Sequence, residues 1–158
     1  MSNCATSAYV FAKLASLPLE ATFDGGRLTS DGGLPWLSQV DAELGICAAF
    51  ANCLRDWRKD PRRSRHSLEQ LVRQRVFQMA CGYEDQDDTD TLRSDPLFKL
   101  VCGQLPDSGH DLASQPTLSR LENSASRQSC HRIARALARL YLAQRRQAVR
   151  QLQAFHPA

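Results

Sequence analysis

The most informative absence in this sequence is that of acidic residues, because no Asp or Glu follows Glu122. Residues 1–122 carry 13 cationic and 17 anionic side chains, whereas residues 123–158 carry seven arginines and no acid. The net charge is therefore −4 for the first part and +7 for the second, within a total of +3. A strongly cationic end on a nearly balanced body favours a polyanionic partner, with nucleic acid as the first candidate. A solvated surface helix in which Arg serves as a helix former would have the same composition.

Two further absences exclude other classes of protein. None of the six cysteines forms a C-x-x-C pair and their spacings match no zinc template, so the pattern is typical of reduced thiols in a cytoplasmic protein. No apolar run approaches the length of a membrane span, and the mildly apolar stretch from Ala8 to Ala12 is interrupted by Lys13. We therefore expect a soluble, cytoplasmic protein with no membrane partner.

The composition and the periodicity of apolar residues predict a mainly α fold. With 42% apolar and 23% charged residues, the chain is typical of one globular domain. Residues 1–18 lack periodicity and are predicted to be a loose leader, with a helical domain over residues 19–158. Alternation at Leu19, Ala21 and Phe23 predicts a short N-terminal strand or hairpin, with a turn at Asp24-Gly25-Gly26. About six helices are predicted, over residues 34–44, 46–54, 68–81, 97–102, 115–123 and 127–153.

The third predicted helix carries an arginine on its apolar face. Ser67 and Gln70 fit a capping box, and Leu68, Leu71, Val72, Val76 and Met79 share one face with Arg75. A cation on an apolar face needs a carboxylate partner, and the acidic segment Glu84–Asp95 is the candidate. Six carboxylates in those twelve residues also suggest a metal site, but the positions do not match an EF-hand loop. Acidic first turns of helices are the favoured interpretation, and no metal ligand is assigned.

Three segments carry candidate DNA-binding residues. The basic loop from Arg55 to Arg65 has six cations and two acids and is predicted to contact phosphates. The helix that Ser114 caps presents short or forked hydrogen-bonding side chains outward, which suits base edges. A helix-turn-helix over Leu97–Asn123 is an alternative, although its eleven-residue connection exceeds the usual turn. The candidates in the loop are Arg55, Arg58, Arg62, Arg63 and Arg65, and those on the helix are Gln115, Thr117, Ser119, Arg120 and Asn123.

The last helix carries the third segment, a ridge of five arginines within roughly 60° of one another at 3.6 residues per turn. The ridge consists of Arg132, Arg135, Arg139, Arg146 and Arg150. It is predicted to lie nearly opposite an apolar face formed by Ile133, Leu137, Leu140, Tyr141, Ala148 and Leu152. Its 18 steps cover about 27 Å, enough to follow a phosphate backbone. Contact with solvent, or with an acidic surface of another domain, would suit the same pattern.

Four blocks of sequence together resemble the N-terminal part of DDE-type bacterial insertion-sequence transposases of group 1. The blocks are FDGGRLTSDGGLP (residues 23–35), RHSLEQLVRQRVFQ (65–78), GYEDQDDTDTLRSDP (82–96) and LASQPTLSRLEN (112–123). Their order and spacing follow the family over roughly residues 20–142. The resemblance implies a ribonuclease-H-like core in which three carboxylates hold two divalent ions, with Mg²⁺ expected for the full-length enzyme. In the family the first of those acids lies beyond the long helix, so no residue of this sequence is assigned as catalytic.

The resemblance and the charge pattern together give a functional expectation. We expect the DNA-engaging N-terminal part of a transposase, truncated before its catalytic core, which binds double-stranded transposon ends. No cofactor and no activity are expected of this chain alone. The alternatives are a non-enzymatic helical module that dimerises or docks on full-length transposase, and a decayed fragment.

Overall fold

The computed structural model describes residues 9–14, 17–21, 31–60, 63–106 and 109–155. A two-stranded antiparallel hairpin precedes a set of helices, which confirms the predicted mainly α fold with an N-terminal hairpin. The elements are β1 (Tyr9–Leu14), β2 (Leu17–Ala21), α1 (Leu34–Leu44), α2 (Ile46–Ala51), α3 (Leu68–Ala80), α4 (Thr89–Leu92), α5 (Pro96–Val101), α6 (Gln115–Ser124) and α7 (Arg127–Phe155).

The hairpin corrects the prediction of a loose leader. Residues 9–14 form β1, which pairs with β2 in the register Tyr9 to Ala21. Phe11 is buried and its ring meets Trp36 of α1 edge-on, with the centroids 4.9 Å apart. Aromatic and β-branched residues favour a strand once a pairing partner exists, and a search for periodicity along the chain cannot supply that partner. Residues 1–8 and the predicted turn at Asp24–Gly26 lie outside the described residues.

The first two helices follow the predicted boundaries closely. α1 ends where predicted, because Gly45 adopts a left-handed conformation (φ 66°) and donates its N–H to the Asp41 carbonyl at 2.7 Å. α2 ends at Ala51, before the predicted end at residue 54, and the chain continues in a turn through Asn52 and Cys53. The turn brings the Cys53 thiol to the surface beside α7.

The core consists of two clusters that meet at α3. One surrounds Phe98 and Leu34, and the other surrounds Leu71 and Leu118, while Val76 of α3 packs against both. The predicted capping box of α3 is confirmed, since Ser67 and Gln70 exchange side-chain to backbone hydrogen bonds of 3.1 and 2.9 Å. α3 is therefore the central helix on which the other helices are assembled.

Arg75 is buried on the apolar side of α3, but its acidic partner is not in the predicted segment. Its Nε donates to Glu122 of α6 at 2.5 Å, and its terminal nitrogens donate to the carbonyls of Tyr83, Glu84 and Asp85 at 3.0, 2.5 and 3.2 Å. The segment after α3 thus offers backbone oxygens to the guanidinium. The Glu84 and Asp85 residues themselves are exposed. The acidic segment supplies Asp90 in the first turn of α4, as predicted, and Asp95 caps α5 by accepting from the Leu97 and Phe98 N–H groups at 2.8 Å.

Candidate nucleic-acid interface

We use the term body for the described residues that precede α7. α6 is fixed to the rest of the body along its inner side and at its beginning. Leu118 and Leu121 are buried, as predicted. The buried Gln74 side chain of α3 bonds both backbone groups of Ala113, accepting at 3.0 Å and donating at 2.9 Å. Ser114 precedes α6 but makes no side-chain cap bond to its backbone.

The outward side chains of α6 divide into two groups. Thr117 lies 3.2 Å from the Ser114 hydroxyl, and Ser119 donates to Gln86 at 2.9 Å, so both hydroxyls have partners within the chain. Gln115 is half-buried and its backbone N–H donates to Asp90 at 3.1 Å. Arg120 and Asn123 are exposed. The surface that α6 offers to a partner therefore centres on Arg120 and Asn123.

In the basic loop, Arg58 is part of the loop's own structure. It donates to both carboxylate oxygens of Asp56 at 2.8 and 2.6 Å and to the His66 carbonyl at 2.5 Å, and it lies over the Trp57 ring. The hydrogen bond from Arg58 lowers the pKa of Asp56 below its ordinary value. Burial, followed by the charges of neighbouring arginines, lowers the pKa of His66. Three of the five guanidinium N–H donors of Arg58 are thus engaged by described residues.

The other cations of this loop differ in exposure and pairing. Arg55 and Arg65 are exposed, and Arg63 is exposed and lies 3.3 Å from the Asp60 carboxylate. Arg62 lies outside the described residues. The described part of the loop thus presents three outward guanidinium groups, of which Arg63 already has an acidic neighbour.

α7 begins on the body and ends away from it. The Ser126 hydroxyl accepts from the Ser129 N–H at 3.1 Å, and α7 contacts α2. In the first half of α7 the least exposed side chains are those of Ser129, Ile133, Ala136 and Leu140. From Tyr141 to Gln151 every side chain is exposed. The second half of α7 is therefore a helical arm that extends beyond the core.

The five arginines of the predicted ridge are all exposed on α7. The side of the helix that faces the body borders the ridge, and the first three arginines line an open cleft of about 200 Å³. Its lining residues are Cys53, Arg132, Arg135, Ala136 and Arg139, a set that we call the junction pocket. The residues of α7 that the body covers form only one border of the predicted apolar face, so the body lies beside the ridge and not opposite it.

The predicted apolar face of α7 is only partly covered. Ile133 and Leu140 are half-buried, whereas Leu137 and Tyr141 are 53% and 58% exposed and Ala148 is exposed. The side chain of Leu152 is not described. Two apolar residues that the sequence argument missed, Leu142 and Val149, are also about half exposed. Their spacing of seven, two helical turns, is the signal that could have found them.

The described residues contain no group of three or more Cys, His, Asp or Glu side chains placed to hold a metal ion. In the same part of the chain, no helix has both the length and the hydropathy that a membrane crossing requires.

Comparison with known proteins gives a family. The family model described as transposase DDE domain group 1 matches residues 11–153. No match was found among curated proteins or among solved structures.

Proposed function

The chain belongs to the transposase DDE domain group 1 family, which carries out DNA transposition, and on this premise we propose that it supplies a double-stranded-DNA-binding portion. Its target within that function would be the ends of the mobile element. The proposal concerns binding alone, and its support is the distribution of paired and unpaired arginines.

One contrast supports the proposal above all. Five arginines of the body (Arg58, Arg63, Arg73, Arg75 and Arg93) form ion pairs with carboxylates. Among the described residues, none of the seven arginines of α7 lies within ion-pair distance of a carboxylate. Seven cations on one helix repel one another, and a phosphate backbone removes that repulsion while it releases counterions.

The proposed roles follow from position. The ridge of Arg132, Arg135, Arg139, Arg146 and Arg150 would follow the phosphate backbone. Arg120 and Asn123 of α6, with Gln115, Thr117 and Ser119 beside them, would lie toward base edges. The loop cations Arg55, Arg58, Arg62, Arg63 and Arg65 would add phosphate contacts.

Charge reversal tests these roles on duplexes of different sequence. Arg135→Glu with Arg139→Glu should weaken binding to every duplex alike, by at least about tenfold, because phosphate contacts carry no sequence information. Arg120→Glu should reduce the preference between sequences. Fluorescence anisotropy with labelled duplexes measures both effects. Equal affinities of the wild type and both variants would refute the proposal.

The family's reaction requires divalent metal ions, so the fit of the residues to such an ion matters. The absence of a converging ligand set among the described residues means that these residues do not fit a metal centre. We therefore assign no ligand of Mg²⁺ and no reaction step to them.

A second candidate function, self-association, is favoured by the exposed apolar residues of α7. Leu137 and Tyr141 lie on the side of α7 away from the ridge, whereas Leu142 and Val149 border it. Two copies of α7 packed through Leu137 and Tyr141 would hold their ridges on outer sides. Charges separated by more than about 8–10 Å are largely screened at physiological salt. Such a dimer should become tighter as salt increases, whereas DNA binding should weaken. Sedimentation equilibrium across a salt series therefore separates the two functions.

A further inference from the structure

The junction pocket differs from the rest of the ridge in shape. Arg132, Arg135 and Arg139 line a cleft against the body, with Cys53 on its far side. Arg146 and Arg150 instead line an open groove on the protruding half of α7, with Tyr141, Leu142 and Val149. The arginines of the ridge, which the helical wheel places on one face, therefore have two different surroundings in the folded protein.

The spacing of the three arginines allows them to act on a single anion. They follow one another at intervals of three and four residues, which places neighbouring side chains about 5–6 Å apart at Cβ. Arg132 and Arg139 lie three and four residues from the central Arg135, whereas Arg146 lies eleven residues beyond it, a rise of about 16 Å along the helix. The long, forked side chains of the first three can converge on one tetrahedral oxyanion, but Arg146 is too far along the helix to join them.

The surroundings of the pocket strengthen its attraction for an anion. No described carboxylate pairs with Arg132, Arg135 or Arg139, so three positive charges line one cleft without compensation. Clefts that carry charge of one sign between protein walls concentrate the electric field. Arg132 also lies 3.4 Å from the hydroxyl of the buried Ser129, which limits the positions that its guanidinium adopts.

We propose that the junction pocket is a binding site for a single phosphate group. The volume of about 200 Å³ corresponds to several water molecules at about 30 Å³ each, which is room for a phosphate and part of its hydration shell. The inference rests on the proposed function for its natural ligand, a backbone phosphate of duplex DNA. Held there, that phosphate fixes where the duplex meets α7, while Arg146 and Arg150 contact the backbone further along the helix.

Cys53 provides a test that does not depend on DNA affinity. Cys53 lines the pocket and is partly exposed, so we expect a bound phosphate to shield its thiol from iodoacetamide, a neutral alkylating reagent. Cys130 is an exposed thiol on α7 outside the pocket and serves as an internal control. In the full chain, modification of the two cysteines is followed by peptide mass spectrometry at constant ionic strength. The ligands are inorganic phosphate and a short duplex, each compared with chloride.

The expected result is slower modification of Cys53 alone. At a ligand concentration ten times Kd, its rate should fall about tenfold, while the rate at Cys130 stays constant. Arg135→Gln with Arg139→Gln should abolish this protection. The matched variant Arg146→Gln with Arg150→Gln removes the same charge from the ridge outside the pocket, and it should retain the protection by inorganic phosphate. Gln keeps a helix propensity close to that of Arg, so α7 should persist in both variants.

The outcomes separate the pocket from the proposed function. Protection by inorganic phosphate in a protein that binds no duplex would support the pocket and refute DNA binding. Protection by the duplex alone would support the pocket with DNA as the source of its phosphate. Equal loss of protection in both variants, or no protection of Cys53 by either ligand, would overturn the inference.

Discussion

At the residue scale, the clearest case of a side chain that sets the structure is Arg75. Its guanidinium satisfies three consecutive carbonyls after α3 and the carboxylate of Glu122. The two sides of the ion pair are unequally buried, since 8% of the Arg75 side chain and 46% of the Glu122 side chain are exposed. Loss of the cation thus leaves several inward-facing acceptors unpaired, whereas loss of the anion is compensated by water and by the three carbonyls.

This asymmetry gives a stability prediction. Arg75→Met should lower the free energy of unfolding by about 3 kcal/mol, because acceptors lose their partner inside the protein. Glu122→Gln should cost about 1 kcal/mol or less, since its carboxylate is half exposed. Urea unfolding followed by circular dichroism measures both values. A loss in Glu122→Gln equal to or larger than that in Arg75→Met would contradict the described network.

The sequence showed that Arg75 needed a partner but not where the partner was. Its place on the apolar face of α3 follows from helical periodicity, which is local. Glu122 lies 47 residues later in the chain, and only tertiary packing brings it to α3. The same limit applies to Ser119 and Gln86, which meet across 33 residues and give the Ser119 hydroxyl a partner within the chain.

At the scale of elements, Gln74 determines how α6 is placed. Its side chain is 1% exposed and bonds both the N–H and the carbonyl of Ala113, two residues before the start of α6. An amide is the only neutral side-chain group that donates and accepts with this geometry. The link fixes the beginning of α6 against α3, and so fixes the direction in which Arg120 and Asn123 point.

Replacement of Gln74 should therefore destabilise the folded protein. Gln74→Leu leaves two buried backbone groups unpaired and should lower the free energy of unfolding by about 2–4 kcal/mol. Gln70→Leu makes the same chemical change on the same helix, but only one arm of the capping box is lost, so a cost of about 1 kcal/mol or less is expected. The measurement is denaturant unfolding of both variants, and equal costs would show that the Gln74 link does not hold α6.

Element boundaries show which parts of the fold are readable from the sequence. Caps and periodicity are local signals, and they placed α1, α3, α5 and α6 close to their observed limits. β1 was missed because the six residues Tyr9–Leu14 become a strand through pairing with β2 and contact with Trp36, which are not local. The side of α7 that packs on the body could not be predicted from the sequence either, since a helical wheel locates the ridge but not the face that the body covers.

At the scale of the whole molecule, α7 differs from the body both in the pairing of its charges and in the burial of its apolar side chains. Among the described residues, the body pairs five of its eight arginines with carboxylates and buries its apolar residues around α3. In the same part of the chain, α7 carries arginines without a carboxylate partner and half-exposed apolar side chains beyond the core. A lone helical arm of this kind is marginal in water, so a partner along its length would stabilise it. The proposed DNA contact uses the arginine side of the arm and leaves the apolar side for self-association.

The central claim is that the arginines of α7 bind DNA phosphates, and the salt dependence of duplex affinity tests it most directly. Each phosphate contact contributes about −0.9 to the slope of log K against log salt, so five ridge arginines predict a slope of about −4 or steeper. Replacement of all five by Gln should make the slope shallower by about 4. Replacement by Lys should preserve it, because the charge remains. A wild-type slope near zero, or one that the Gln variant leaves unchanged, would contradict the claim.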